Sequence, residues 1–230
     1  MFLDPLYLFV MIAGAVLSGG ASMWVKAATS KWQQVPIGRG LTGREVAQKI
    51  LDTKGIRDVR IERVPGRLSD HYDPRSKVLR LSPDIYNGKS VTAAGVAAHE
   101  VGHAIQHAEG YAPMTIRQLL VPVANIGTSI GIYMVMFGAF LGLTGLAKLG
   151  VFLFGGFVMF TVVTLPVEID ASMRAKKALE SGRIISGEEA RGVRQVLTAA
   201  AATYLAAAVT SVLQLLYWAL RAGLLGGRRE

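Results

Sequence analysis

Four stretches of this 230-residue chain contain no Asp, Glu, Lys, Arg or His: residues 6–25, 118–147, 149–167 and 196–220. Each is about as long as, or longer than, the ~20 residues with which an α-helix crosses a ~30 Å hydrocarbon core. A helix that is apolar all round must be buried on every side, and four of them in a chain of this length leave too little polar chain to bury them in water. The pattern predicts an α-helical integral membrane protein with four transmembrane helices, over 6–25, 119–147, 149–167 and 196–220. It excludes an ordinary soluble domain, a disordered chain and a coiled coil. A mean hydropathy of +0.38 beside a formal net charge of +9 fits only such a segregated sequence.

The charges sit between the blocks. Residues 1–5 hold Asp4 and no Lys or Arg, the reverse of a signal peptide's basic start, so 6–25 is expected to be a retained anchor. Lys26, Lys31, Arg39 and Arg44 follow it at once. The positive-inside rule then puts the amino terminus outside and the segment 26–117 in the cytoplasm, as the principal water-facing domain. Arg221, Arg228 and Arg229 run against this orientation, since four crossings put them outside. The basic residues are scattered among acids rather than clustered with aromatics, so no nucleic-acid partner is expected; the lipid bilayer is.

Within 26–117 the patterning is mixed. Thr42 followed by Glu45 reads as a capping box, with Val46, Ile50 and Leu51 at helical spacing and Gly55 as the stop. Val59, Ile61 and Val64 almost alternate with charged residues, and 77–82 alternates cleanly, which predicts two or three strands joined by a turn at 73–76. Ser82-Pro83-Asp84 is a helix start, and residues 90–108 form an Ala-rich helix stopped at Gly110. Ser186 and Glu189 suggest a further capped helix, within the charged segment 168–195, entering the last span. Gly127/Gly131 and Gly138/Gly142, four apart in the second span, are expected to be packing pairs.

The chemistry lies in the predicted helix at 90–108, in the run His99-Glu100-Val101-Gly102-His103. Side chains four apart on a helix lie one above the other with ~5–6 Å between Cβ atoms, close enough for two imidazoles to bind one ion at ~2.0–2.1 Å. His99 and His103 are therefore candidate zinc ligands. Glu100 is rotated off that axis and is the candidate general base. The chain has no cysteine, so a third ligand must be a His or a carboxylate.

His107 is eight residues from His99, about 12 Å along the axis of an unbroken helix, too far for both to share an ion. Glu168 is the preferred third ligand: two crossings separate it from His99, which returns it to the same membrane face. Asp170 competes, although two residues along a helix it points about 200° away from Glu168; a salt bridge to Arg174 is its alternative role.

The runs at 70–75, 79–83, 97–104, 111–113 and 165–172, which include Asp70-His71-Tyr72-Asp73-Pro74-Arg75 and Pro166-Val167-Glu168-Ile169-Asp170, resemble the YugP-type neutral zinc metallopeptidase family of bacterial membrane proteins. The layout is more distantly similar to the integral membrane gluzincins, which include the heat-shock membrane protease and the CAAX prenyl protease. The resemblance implies a small α+β zincin-like catalytic domain at 26–117, bound Zn2+, and a bacterial cytoplasmic membrane location. It also implies that an edge strand, matched to 77–82, pairs with an extended substrate. In those relatives an aspartate four residues after the glutamate ligand orients a ligand; Ser172 stands there in this chain.

The expectation is thus a zinc-dependent endopeptidase acting on membrane-associated proteins or peptides, with His99, His103 and Glu168 holding the metal and Glu100 as base. The alternative is a non-enzymatic membrane scaffold or assembly factor with a structural zinc. The oxyanion stabiliser stays open among His71, Tyr72, Tyr111 and Tyr204.

Overall fold

The computed structural model describes residues 4–225, so that Arg228 and Arg229 lie outside the described residues. The element order is α1 (Pro5–Gln33), α2 (Gly43–Thr53), β1 (Arg60–Arg63), β2 (His71–Asp73), β3 (Val78–Leu81), α3 (Pro83–Tyr86), α4 (Val91–Ala108), α5 (Ala112–Ile126), a π-helical turn (Gly127–Gly131), α6 (Ile132–Phe140), α7 (Thr144–Ser181) and α8 (Gly187–Arg221). Among the described residues, four helical stretches are long and apolar enough to cross a membrane: α1, the run Ala112–Phe140, α7 and α8. Three of them continue well past the uncharged blocks. α1 runs to Gln33, and α7 carries Glu168 and the charged residues after it to Ser181 without a break, despite Pro166 inside it.

The chain divides into two compact units. One consists of Ser22–Met114 and Val167–Ala202 and contains all the candidate zinc ligands. The other comprises the rest of the described chain and is built from the apolar helices. In this second unit Gly127 and Gly131 let the helix lie against the backbone of Leu153 and Phe154, and Gly138 does the same at Ala147. Gly142 is not a packing residue: it has a φ of 70° and no neighbour within 4 Å of an added Cβ. It makes the turn into α7, a conformation that costs a residue with a Cβ more than it costs glycine.

In the unit that holds the candidate ligands, α2 begins with the expected reciprocal box between Thr42 and Glu45, and α4 is capped by the Ser90 hydroxyl on the Ala93 N–H at 3.1 Å. Gly110, with a φ of 64°, ends α4 in the left-handed conformation. The three strands form one sheet in the order β1-β3-β2, with β1 parallel to β3 and β2 antiparallel to it. β3 is therefore central and both of its edges are paired. The expected edge role of 77–82 is overturned, and the free edge on the side of α4 belongs to β2. The alternation of β3 reflects burial of Val78, Leu79 and Leu81, which fits a central strand as well as an edge strand.

α2, the sheet and α8 bury α4 on most of its surface. Val46, Ala47, Ile50, Leu79, Leu81, Val193 and Leu197 share one apolar core with Ala94, Ala97, Ala98, Val101 and Ala104. The abundance of alanine on α4 lets its neighbours approach closely, and this fixes the direction in which the polar side chains of α4 point.

Candidate metal centre

His99, Glu100 and His103 project from the middle of α4, and Glu168 meets them from α7. The three ligand atoms of His99, His103 and Glu168 lie within 4.8 Å of one another. Glu168 Oε2 is 3.1 Å from His99 Nε2 and 3.5 Å from His103 Nε2, and the two imidazole rings stand edge to face with centroids 4.8 Å apart. A tetrahedral ion with bonds of ~2.0–2.1 Å holds its ligand atoms about 3.3 Å apart, so these spacings fit one small cation.

The hydrogen-bond network shows which nitrogens are left to face a cation between the three side chains. Gln106 Nε2 donates to the Val167 carbonyl and to Asp170 Oδ2, both at 2.8 Å. Its Oε1 is therefore the atom 3.0 Å from His103 Nδ1, and that nitrogen must be the donor. When the His103 ring is neutral its proton sits on Nδ1, and the lone pair of Nε2 is free for a metal. On the other ring, the Ser172 hydroxyl lies 3.2 Å from His99 Nδ1. Glu168 and Ser172, one turn apart on α7, thus meet the two nitrogens of one imidazole. The serine stands where the aspartate of the distant relatives was expected, and it reaches the ring.

The electrostatics favour a cation. Glu168 is 2% exposed, and both imidazoles lie against its carboxylate. Burial opposes charge on His103, yet its bond to Glu168 and the nearby Glu100 carboxylate hold its pKa above the ordinary imidazole value. Two imidazoles and a carboxylate that are buried together and attract positive charge form a donor set suited to a divalent ion. His99, with 13% of its side chain exposed, is the most accessible of the three.

Glu100 does not join the cluster. Its Oε2 accepts the Tyr72 N–H at 3.0 Å, which ties it to the free edge of β2. The Tyr72 hydroxyl in turn bonds His107 Nδ1 at 2.8 Å, one turn beyond His103 on α4. Burial, with Asp58 and Asp73 nearby, pushes the Tyr72 phenol up to about 12, so it remains protonated at neutral pH. His107 is accordingly bonded to the sheet rather than placed with the other two histidines. Asp170 is not among the three converging donors: it accepts the Gln106 amide and pairs with Arg174, which also reaches Glu109.

Of the oxyanion candidates, Tyr111 lies under the Arg174 guanidinium, 5.6 Å from ring centroid to Cζ, and His71 is exposed with Nδ1 2.7 Å from the Ser69 carbonyl oxygen. Gln106 and the Tyr72 backbone were not foreseen. Gln106 had a signal, since it is three residues after His103 and so on the same helix face. The Tyr72 N–H had none.

The chain matches, over residues 7–223, the family described as "Putative neutral zinc metallopeptidase". It is 44% identical over 211 residues to "Putative membrane protease YugP" of Bacillus subtilis (strain 168), covering 92% of this chain and 94% of that protein. No solved structure matches.

Proposed function

The chain belongs to the neutral zinc metallopeptidase family, and from that premise we propose that it is a membrane-embedded zinc endopeptidase with the centre described above as its active site. The observation that carries the reading is the separation of roles around α4. Three donors converge within 4.8 Å, while the buried acid of the His-Glu-x-x-His motif, Glu100, is held apart on the sheet edge. A purely structural zinc has no need of such an acid.

His99, His103 and Glu168 would hold the zinc, which would supply Lewis-acid chemistry to the scissile carbonyl and the attacking water. Glu100 takes a proton from the attacking water and delivers it to the leaving amine. Ser172 and Gln106 keep the two imidazoles oriented with Nε2 towards the ion. The outer edge of β2 lies beside the site, but its Tyr72 N–H is already given to Glu100, so an extended substrate adds to this edge only when Glu100 releases that bond. Glu168 follows the apolar stretch 149–167 in one unbroken helix, and four helices suit a membrane. Substrates are therefore membrane proteins or peptides presented near the bilayer, with the site on the cytoplasmic side of the bacterial inner membrane.

The test is zinc quantitation together with peptide cleavage by the purified full chain and by Glu100→Gln. The expected result is one zinc per chain in both and cleavage only by the first. Zinc in both with cleavage by neither identifies a structural site instead.

A further inference from the structure

Beside the motif helix lies a cavity of about 290 Å³ that none of the roles above uses. Its lining comes from four places: Gln33 on the C-terminal turn of α1, Leu68 and Asp70 on the β1–β2 connection, Ile85 on α3, and Thr92 and Val96 on α4. Thr92, Val96, His99 and His103 are spaced by four, three and four residues, so they form one stripe along α4. Val96 is three residues before His99, about 4.5 Å along the helix axis. The cavity therefore continues the face of α4 that carries the candidate metal ligands.

We infer that this cavity is the specificity subsite of the peptidase and that it takes a bulky apolar side chain of the substrate close to the scissile bond. The inference rests on the proposed function and supplies its substrate preference. Three observations carry it. The wall exposes more apolar than polar surface, with Leu68, Ile85 and Val96 set among polar residues that include Arg67 and Asp84, and its size is at the lower end of ligand pockets, which suits one side chain rather than a whole small molecule. The Asp70 carboxylate is already occupied by the Ser82 N–H at 2.7 Å and the Ser82 hydroxyl at 3.1 Å, so this acid is part of the frame, and the other two charged wall residues, Arg67 and Asp84, are of opposite sign.

Leu68 is the third. It lines the cavity yet is 84% exposed, with a φ of 57° that residues other than glycine, asparagine and aspartate rarely adopt. A leucine in this position buries almost nothing by itself. An apolar side chain in the cavity covers it, and each then buries surface against the other. Val96 forms the wall nearest to the metal ligands, and Leu68 is the residue at the mouth.

The test is made on the full chain in detergent or nanodiscs, with zinc bound. Fluorescent peptides that differ only by Leu, Phe, Ala, Lys or Glu at each position flanking the cleaved bond are titrated onto Glu100→Gln, which binds without turnover, and are cleaved by the wild type. One position should favour Leu or Phe over Ala by at least about tenfold, the discrimination that an apolar pocket gives. Val96→Phe, which fills the cavity, should lower that Leu-to-Ala ratio at least about fivefold in both binding and kcat/KM. Leu68→Ser should raise KM for the Leu peptide more than it lowers kcat. An unchanged ratio in Val96→Phe, or a preference for Lys or Glu, overturns the subsite. Absence of cleavage by the wild type defeats the peptidase reading instead, and the binding series on Glu100→Gln still decides the subsite.

Discussion

A Cβ added to Gly102 would lie 2.4 Å from the carbonyl oxygen of Ala171, so α4 and α7 touch backbone to backbone between the two motif histidines. The Glu168 and Ser172 side chains reach the His99 ring across this contact. Gly102→Ala must push α7 away, because the obstacle is backbone and cannot rotate aside. The expected cost is about 1–3 kcal/mol of stability, as for other overpacked cores, despite alanine's better helix propensity. Zinc affinity should fall at least about tenfold with it. Gly95→Ala is the control, since its Cβ meets only Val193 side-chain atoms at 3.5 Å and above. Thermal melts and competitive zinc titration of both variants check this, and equal zinc affinities would show that the close approach does not set the site.

The ligand set separates from the base. His99→Ala, His103→Ala and Glu168→Ala should each weaken zinc binding at least about tenfold and remove activity, with some stability lost along with the metal. Glu100→Gln should keep the metal and lower kcat by about 10²–10⁴, the range for a positioned acid–base group. Stoichiometric zinc in Glu168→Ala, measured by elemental analysis, would overturn the third ligand.

Orientation of His103 depends on Gln106. Gln106→Leu removes the acceptor for Nδ1–H and should cost about 10–100-fold in zinc affinity, the usual effect of losing a partner behind a metal-bound histidine. Asp170→Ala should cost less, because the Val167 carbonyl still holds the Gln106 amide. Ser172→Ala tests the same relationship at His99. Equal affinities in Gln106→Leu and the wild type would remove the network from the account.

The Tyr72 and His107 side chains should act as a unit. Tyr72→Phe and His107→Ala each break the 2.8 Å bond that ties β2 to α4. Both should retain zinc, and the double variant should lose little more activity than either alone, giving a coupling energy of about 0.5–3 kcal/mol for contacting residues. Strictly additive losses in kcat/KM would show that the pair is not what registers the edge strand.

Topology has its own measurement. Reporter fusions at Lys89 and at Arg183 should both read as cytoplasmic, because charge bias and the even number of intervening spans agree for these two segments. Export of the Lys89 fusion would reverse the orientation without separating Glu168 from His99.

Local spacing was enough for the features that lie within a single helix. Uncharged length gave the four apolar helices, the Thr42 capping box marked where α2 begins, the Ala-rich run stopped at Gly110 gave α4, and the four-residue interval placed His99 and His103 on one face. Helical phase also kept Asp170 out of the converging donors and His107 from His99, because the pitch of an α-helix is independent of its surroundings. What only the tertiary structure decided concerns contacts between distant segments. Whether 77–82 was an edge or a central strand depended on β1 pairing with it, and alternation looks the same in both cases. That Gln106 fixes the His103 tautomer, that Ser172 reaches His99 and that a Tyr72 backbone N–H holds Glu100 all follow from how α7 and β2 pack on α4. Hydrogen bonds of this kind join groups far apart in the chain, and a backbone donor leaves no mark in the order of side chains.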